Sequence, residues 1–173
     1  MSWSRRSVLV CLSAAGCGFR PLYAERADDG ADISVTTELA AIRIEAIPNR
    51  IGQEVYNMLR DRLNPNGRPD APRYVLRVAL EENSEILFIS DDQTASRVDL
   101  TLKANYKLIE AGTDRVITDG ASRSTASYDV LSVEYEYATV TSRNAARTRA
   151  ARLICDEIRT RLALALSNDD GES

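Results

Sequence analysis

The chain has 173 residues, 44% apolar and 28% charged, which suits one globular domain and is too short for two ordinary ones. Its 22 basic and 26 acidic residues leave a formal charge of −4, which argues against a general nucleic-acid binder, since such proteins need a net basic face. Histidine is absent, which excludes Ser-His-Asp and Cys-His nucleophiles and histidine metal ligands.

The chain opens with an address. Arg5 and Arg6 precede the short apolar run Ser7–Ala15, about ten residues where a bilayer span needs about 20. This pattern predicts a secretory signal peptide over residues 1–16. Ala14-Ala15-Gly16-Cys17 resembles a bacterial lipobox, with Ala14 where that motif prefers Leu. Cleavage before Cys17 would leave its thiol to carry a lipid. An ordinary signal peptide with an incidental cysteine is the alternative. Ser4–Leu9 also carries the arginine pair of a twin-arginine signal, so either export route fits. Gly18 follows the cysteine, and no Asp stands there as an inner-membrane retention signal, so outer-membrane sorting is expected. The mature chain would have 157 residues and a charge of −6. Several acyl chains on Cys17 would hold it stably on a leaflet without crossing it.

Residues 17–32, with Pro21, Gly30 and several charges, are expected to form a tether. A first strand is expected near Ile33 to Ile47. Its apolar positions change parity between Leu39 and Ile42, which suggests a bulge or two short strands. Pro48-Asn49 then marks a helix start, with Asn49 as N-cap. Ile51, Val55, Met58, Leu59 and Leu63 share one helical face, and Asn64-Pro65-Asn66-Gly67 ends it. Tyr74, Leu76, Val78 and Leu80 alternate with polar or small neighbours as in a strand. After a break, Ile86–Ile89 is apolar on both faces. Val98, Leu100, Leu102, Ala104, Tyr106 and Leu108 give the clearest strand, six successive matches to a period of two. A turn at 111–114 leads to a weaker strand, Arg115 to Tyr128. A long helix, about Tyr137 to Leu166, follows, its stripe made by Ala146, Ala150, Leu153, Ile154, Ile158, Leu162 and Ala165. Residues 168–173 form an acidic tail. The order β-α-β-β-β-α over 33–167 predicts an α+β two-layer sandwich, about four largely antiparallel strands packed on two helices.

Motif chemistry is sparse. There is no Gly-rich phosphate loop and no metal-ligand cluster. The acidic pairs Glu81-Glu82 and Asp91-Asp92 suit solvated positions better than catalytic ones. Cys155 adjoins the apolar stripe and suits a small buried hydrophobe. No cofactor and no catalysis are expected. Charge is the stronger signal. The long helix carries Arg143, Arg147, Arg149, Arg152, Arg159 and Arg161 against only Asp156 and Glu157, with Arg152–Asp156 as an i,i+4 pair. On the strands, if the even residues face the helices, Arg73, Arg77, Arg97, Lys103 and Lys107 share the other face. A hairpin centred near Asp92 would set Glu81 opposite Lys103 and Arg77 opposite Lys107, with Leu87 and Ile89 towards the tip. Opposed like charges are unfavourable unless an anion lies between them. Arg77, Arg97, Lys103 and Lys107 are therefore the candidate binding residues for an amphiphile bearing phosphates and acyl chains. A protein partner on this face is the alternative.

With this architecture in place, Cys17-Gly18-Phe19-Arg20-Pro21-Leu22-Tyr23 resembles the mature N-terminus of the LPS-assembly lipoprotein family LptE, especially its alphaproteobacterial branch. Ile47–Gln53, Ala95–Leu102, Ser127–Leu131 and Arg161–Leu164 resemble that family's later blocks, in order. The resemblance implies an outer-membrane lipoprotein of the periplasmic leaflet. It implies a plug for the LptD β-barrel that helps the barrel assemble and binds lipopolysaccharide on its way to the surface. It implies no enzyme activity. No family motif assigns lipopolysaccharide contacts to positions here, so the four basic residues rest on strand parity alone. A periplasmic lipoprotein adaptor without glycolipid binding is the other reading.

Overall fold

The computed structural model describes residues 30–89, 95–131 and 136–169. The expected signal peptide, Cys17, most of the tether and the last four tail residues lie outside these. The elements in order are α1 (Gly30–Ala40), β1 (Ile42–Ile44), α2 (Asn49–Leu63), β2 (Tyr74–Ile89), β3 (Ala95–Glu110), β4 (Val116–Leu131) and α3 (Glu136–Asp169). The strands form one sheet in the order β1-β2-β3-β4. β1 pairs parallel to β2, and the other two pairs are antiparallel. The α+β two-layer arrangement is as predicted, with one helix more.

The expected first strand is the main correction. Ile33–Ile47 splits into the end of α1 and a three-residue β1. Ile33, Val35 and the two threonines suggest strand by propensity, but Val35 and Leu39 are also an i,i+4 pair. Leu39 is buried and Val35 packs beside it on the core, so tertiary packing overrides a weak local preference. Beyond Ala41 the alternation is that of a strand: Ile42 and Ile44 are buried and Arg43 is exposed. The α2 start also differs. Pro48 is the N-cap, without a side-chain cap, and Asn49 adopts φ +72° as the first helical residue. Asn tolerates this left-handed conformation better than most residues. Just inside the helix, Gly52 lies so close to Ile47 that a Cβ would stand 2.8 Å from that residue's carbonyl oxygen.

β2 is continuous where a break is expected. The register slips between Ile86 and Phe88, leaving Leu87 as the extra residue of a bulge. A bulge changes parity, which is why the sequence there looks apolar on both faces. Up to that point the hairpin register is the expected one, with Arg77 opposite Lys107 and Glu81 opposite Lys103.

One face of the sheet carries the core. Leu76, Leu100, Leu102, Ala104 and Leu108 are fully buried, against Val55, Leu59 and Leu63 of α2 and Ala150, Ile154, Ile158 and Leu162 of α3. Leu153 is not part of the helical stripe. It is 59% exposed, and Leu166 is buried instead. The helices are tied to the sheet by ion pairs as well. Glu82 on β2 receives two parallel bonds from Arg147, at 2.6 and 2.8 Å, with Arg143 at 3.6 Å. Asp156 pairs with Arg62 of α2 at 2.6 Å and not with Arg152.

Candidate binding face

Among the described residues, no helix covers the opposite face of the sheet. Strand parity puts Arg77, Ala79, Glu81, Asn83 and Glu85 of β2 there, beside Asp99, Thr101, Lys103, Asn105 and Lys107 of β3. Asp119, Ala121, Arg123, Thr125, Ser127 and Asp129 of β4 complete it. None of these residues is buried. Val75 and Ile109, paired at the base of the same face, are the exceptions. Cross-strand bonds hold the polar rows, including Thr101 to Thr125 at 3.0 Å and Ser127 donating to Asp99 at 2.6 Å.

Two rows are cationic. In one, Arg77 faces Lys107, with Asp119 beyond on β4. In the other, Lys103 lies between Glu81 and Arg123. Each row therefore contains two directly opposed positive charges, an arrangement that is destabilising without a counter-charge. The rows are about 13 Å apart at the usual strand rise. Between them runs a row of small side chains, Ala79, Asn105 and Ala121. The result is a shallow trough of about 570 Å³, rimmed by Glu45, Arg77, Lys107 and Asp119. Arg77 donates to Glu45 at 3.0 Å, and Lys103 stands 3.9 Å from Glu81. Lys107 and Arg123 have no ion pair among the described residues. The face therefore presents cationic side chains at two levels, the nearer one lining the trough.

Of the four candidate residues, Arg77 and Lys107 line the trough, and Lys103 stands in the next cationic row of the same face. Arg97 lies about 33 Å from Lys107 along β3, near the hairpin tip. There it pairs with Asp129 at 3.0 Å, and this hydrogen bond is the main cause of its raised pKa. Sequence reasoning missed Arg123 and Glu45. Arg123 lies in a Ser/Thr-rich strand whose alternation is faint, and only the β3–β4 register reveals its neighbours. Glu45 needed the parallel β1–β2 pairing. Ile89 lies beyond the bulge, and its side chain is outside the described residues. Cys155 is buried, its Sγ 3.8 Å from the Val55 carbonyl. No cluster of three metal-ligating side chains occurs among the described residues, and no helix among them is long and apolar enough to cross a membrane.

Comparison with known proteins agrees with this architecture. A protein of Caulobacter crescentus assigned as a lipoprotein superposes with TM-score 0.59 at 21% identity, over 79% of this chain and 97% of its own. The rare lipoprotein B of Shewanella oneidensis superposes with TM-score 0.52 at 15% identity, over 74% and 99%. These likenesses concern the fold. An uncharacterized protein of Rickettsia prowazekii is 25% identical over 157 residues, 91% of this chain and 93% of that protein. Residues 39–162 match the profile of the LptE family, described as lipopolysaccharide-assembly. That span runs from the end of α1 to the last turns of α3 and includes the whole sheet, so this chain belongs to the LptE family of lipopolysaccharide-assembly lipoproteins.

Proposed function

We propose that the chain is an outer-membrane lipoprotein anchored through Cys17, lodged in the lumen of an LptD-like β-barrel, which it helps assemble. There it holds lipopolysaccharide on its bare sheet face during transport to the surface. The observation that carries this reading is the trough beside the Arg77–Lys107 row, with the Lys103–Arg123 row about 13 Å along the same face. A phosphorylated glycolipid supplies the anions that would relieve the opposed Arg77–Lys107 and Lys103–Arg123 pairs. The polar character of the face also suits the wet wall of a large barrel. Its role on this reading is binding and assembly, not catalysis.

One observation favours a protein partner on this face instead. Arg77, Lys103 and Arg97 already have carboxylates beside them, so part of the positive charge is spent. The adaptor reading and the glycolipid reading differ in a capture experiment. Arg77→Glu with Lys107→Glu should reduce lipopolysaccharide capture at least tenfold, which corresponds to about 1.4 kcal/mol, while the circular dichroism spectrum is retained. Unchanged capture would remove the trough as the glycolipid site. A tag on this chain should recover a large barrel protein from gently solubilised membranes, and its absence would remove the plug role.

A further inference from the structure

β4 is the last strand of the sheet, and among the described residues no strand pairs with its outer edge. Such an edge presents unpaired backbone groups that can add a strand from another chain. After the bulge at Ile117 it runs regularly from Thr118 to Leu131. Its residues are mostly small: Gly120, Ala121, Ser122, Ser124, Thr125, Ala126 and Ser127. It contains no proline, so nothing in β4 itself blocks pairing.

The obstruction comes from α3. Arg161 donates to the Ala121 carbonyl at 3.1 Å, and Arg149 donates to the Ser127 carbonyl at 3.0 Å. Both carbonyls have the same parity, so both belong to the outward row. The spacing fits. Twelve helical residues rise about 18 Å, and six strand residues span about 20 Å, so helix and strand run side by side in opposite directions. Arg161 is the better anchored of the two. Glu157 accepts from it, and the Tyr106 hydroxyl beside it is the first cause of its raised pKa. The Tyr106 hydroxyl reaches that position by passing over Gly120, where a Cβ would stand only 2.7 Å away.

We propose that the β4 edge is a self-pairing surface for a second copy of this chain, and that Arg161 keeps it latent. Charge sets the register. With Ala121 opposite Ala121 of the second copy, Thr118–Ser124 pairs antiparallel with itself. Arg123 then faces the second copy's Asp119, and Asp119 faces the second copy's Arg123. Both side chains are exposed on the bare face, and neither has an ion pair among the described residues. The carbonyl at the centre of this register is the one that Arg161 covers. Arg149 covers a position outside the overlap.

The test uses the full chain and analytical ultracentrifugation across a wide concentration range. Wild type should sediment as a monomer. Arg161→Met, which keeps the apolar stem and loses the donors, should form a concentration-dependent dimer, and Arg149→Ala should not. Adding Asp119→Lys to Arg161→Met should restore the monomer, and adding Arg123→Glu to that pair should bring the dimer back. A folded Arg161→Met that stays monomeric overturns the proposal, as does a dimer indifferent to Asp119→Lys or a wild type already paired. If both Arg161→Met and Arg161→Ala lose the native circular dichroism spectrum, the residue is a structural tie and the proposal fails.

Discussion

At the scale of single residues, Cys155 shows how burial decides chemistry. Arg152 and Arg159 stand at helical spacing from it, yet the side chain turns into the core beside Val55, as a small buried hydrophobe would. Burial pushes its pKa from the ordinary 9.0 up to about 12, with Arg62 pulling the other way. A thiol so placed is not a nucleophile near neutral pH. The raised value also fixes a sign. Below pH 9 the thiol is neutral in both the folded and the unfolded chain. Between 9 and 12 only the unfolded chain ionises, so stability is complete below 9 and falls as pH rises towards 12. The slope from this group is up to about 1.4 kcal/mol per pH unit. Urea unfolding at pH about 8 and about 10 should therefore show wild type losing roughly 1 kcal/mol more than Cys155→Ala between the two conditions. Equal losses would mean that the thiol is far more accessible than its surroundings indicate.

At the scale of elements, the ion pairs between α3 and the sheet centre on Glu82. It is only 18% exposed, and Arg147 meets it with two parallel bonds. Partly buried, charge-assisted and bidentate, this pair should outweigh an exposed one. A double-mutant cycle with Glu82→Gln and Arg147→Met should give a coupling of about 1–2 kcal/mol. The exposed Arg60–Asp61 pair should give less than about 0.5. Equal couplings would place the attachment of α3 in apolar packing alone. Elements of this kind were legible wherever periodicity was long. The six alternating residues of β3 gave its faces and, through the hairpin, the correct register against β2. The stripe of α3 was visible except at Leu153, which lies on the ridge with Arg149, Glu157 and Arg161 that overlooks the β4 edge. α1 was not legible, because its β-branched residues favour a strand locally while only contact with the core favours the helix. The β4 neighbours of the trough were hidden for a related reason: a Ser/Thr strand carries little apolar contrast, so Arg123 could not be paired with Lys103 before the register was known.

For the whole molecule, the two faces of the sheet divide the work. Most of the apolar core lies on one side, under α2 and α3. The charged trough lies on the other, which the described residues leave uncovered. Adjacent residues of β3 therefore report on different properties. Leu108 is fully buried and Lys107, its neighbour, is exposed. Leu108→Ala should cost about 2–5 kcal/mol by leaving a cavity in a packed core. Lys107→Glu should change stability by less than about 0.5–1 kcal/mol, because its charge is solvated and its neighbours are polar. Thermal unfolding of the two variants measures the contrast directly. A Lys107→Glu loss as large as that of Leu108→Ala would mean that the bare face is a structural layer, and a charge reversal there could no longer be read as a change in binding. The expected separation makes the trough testable without unfolding the protein.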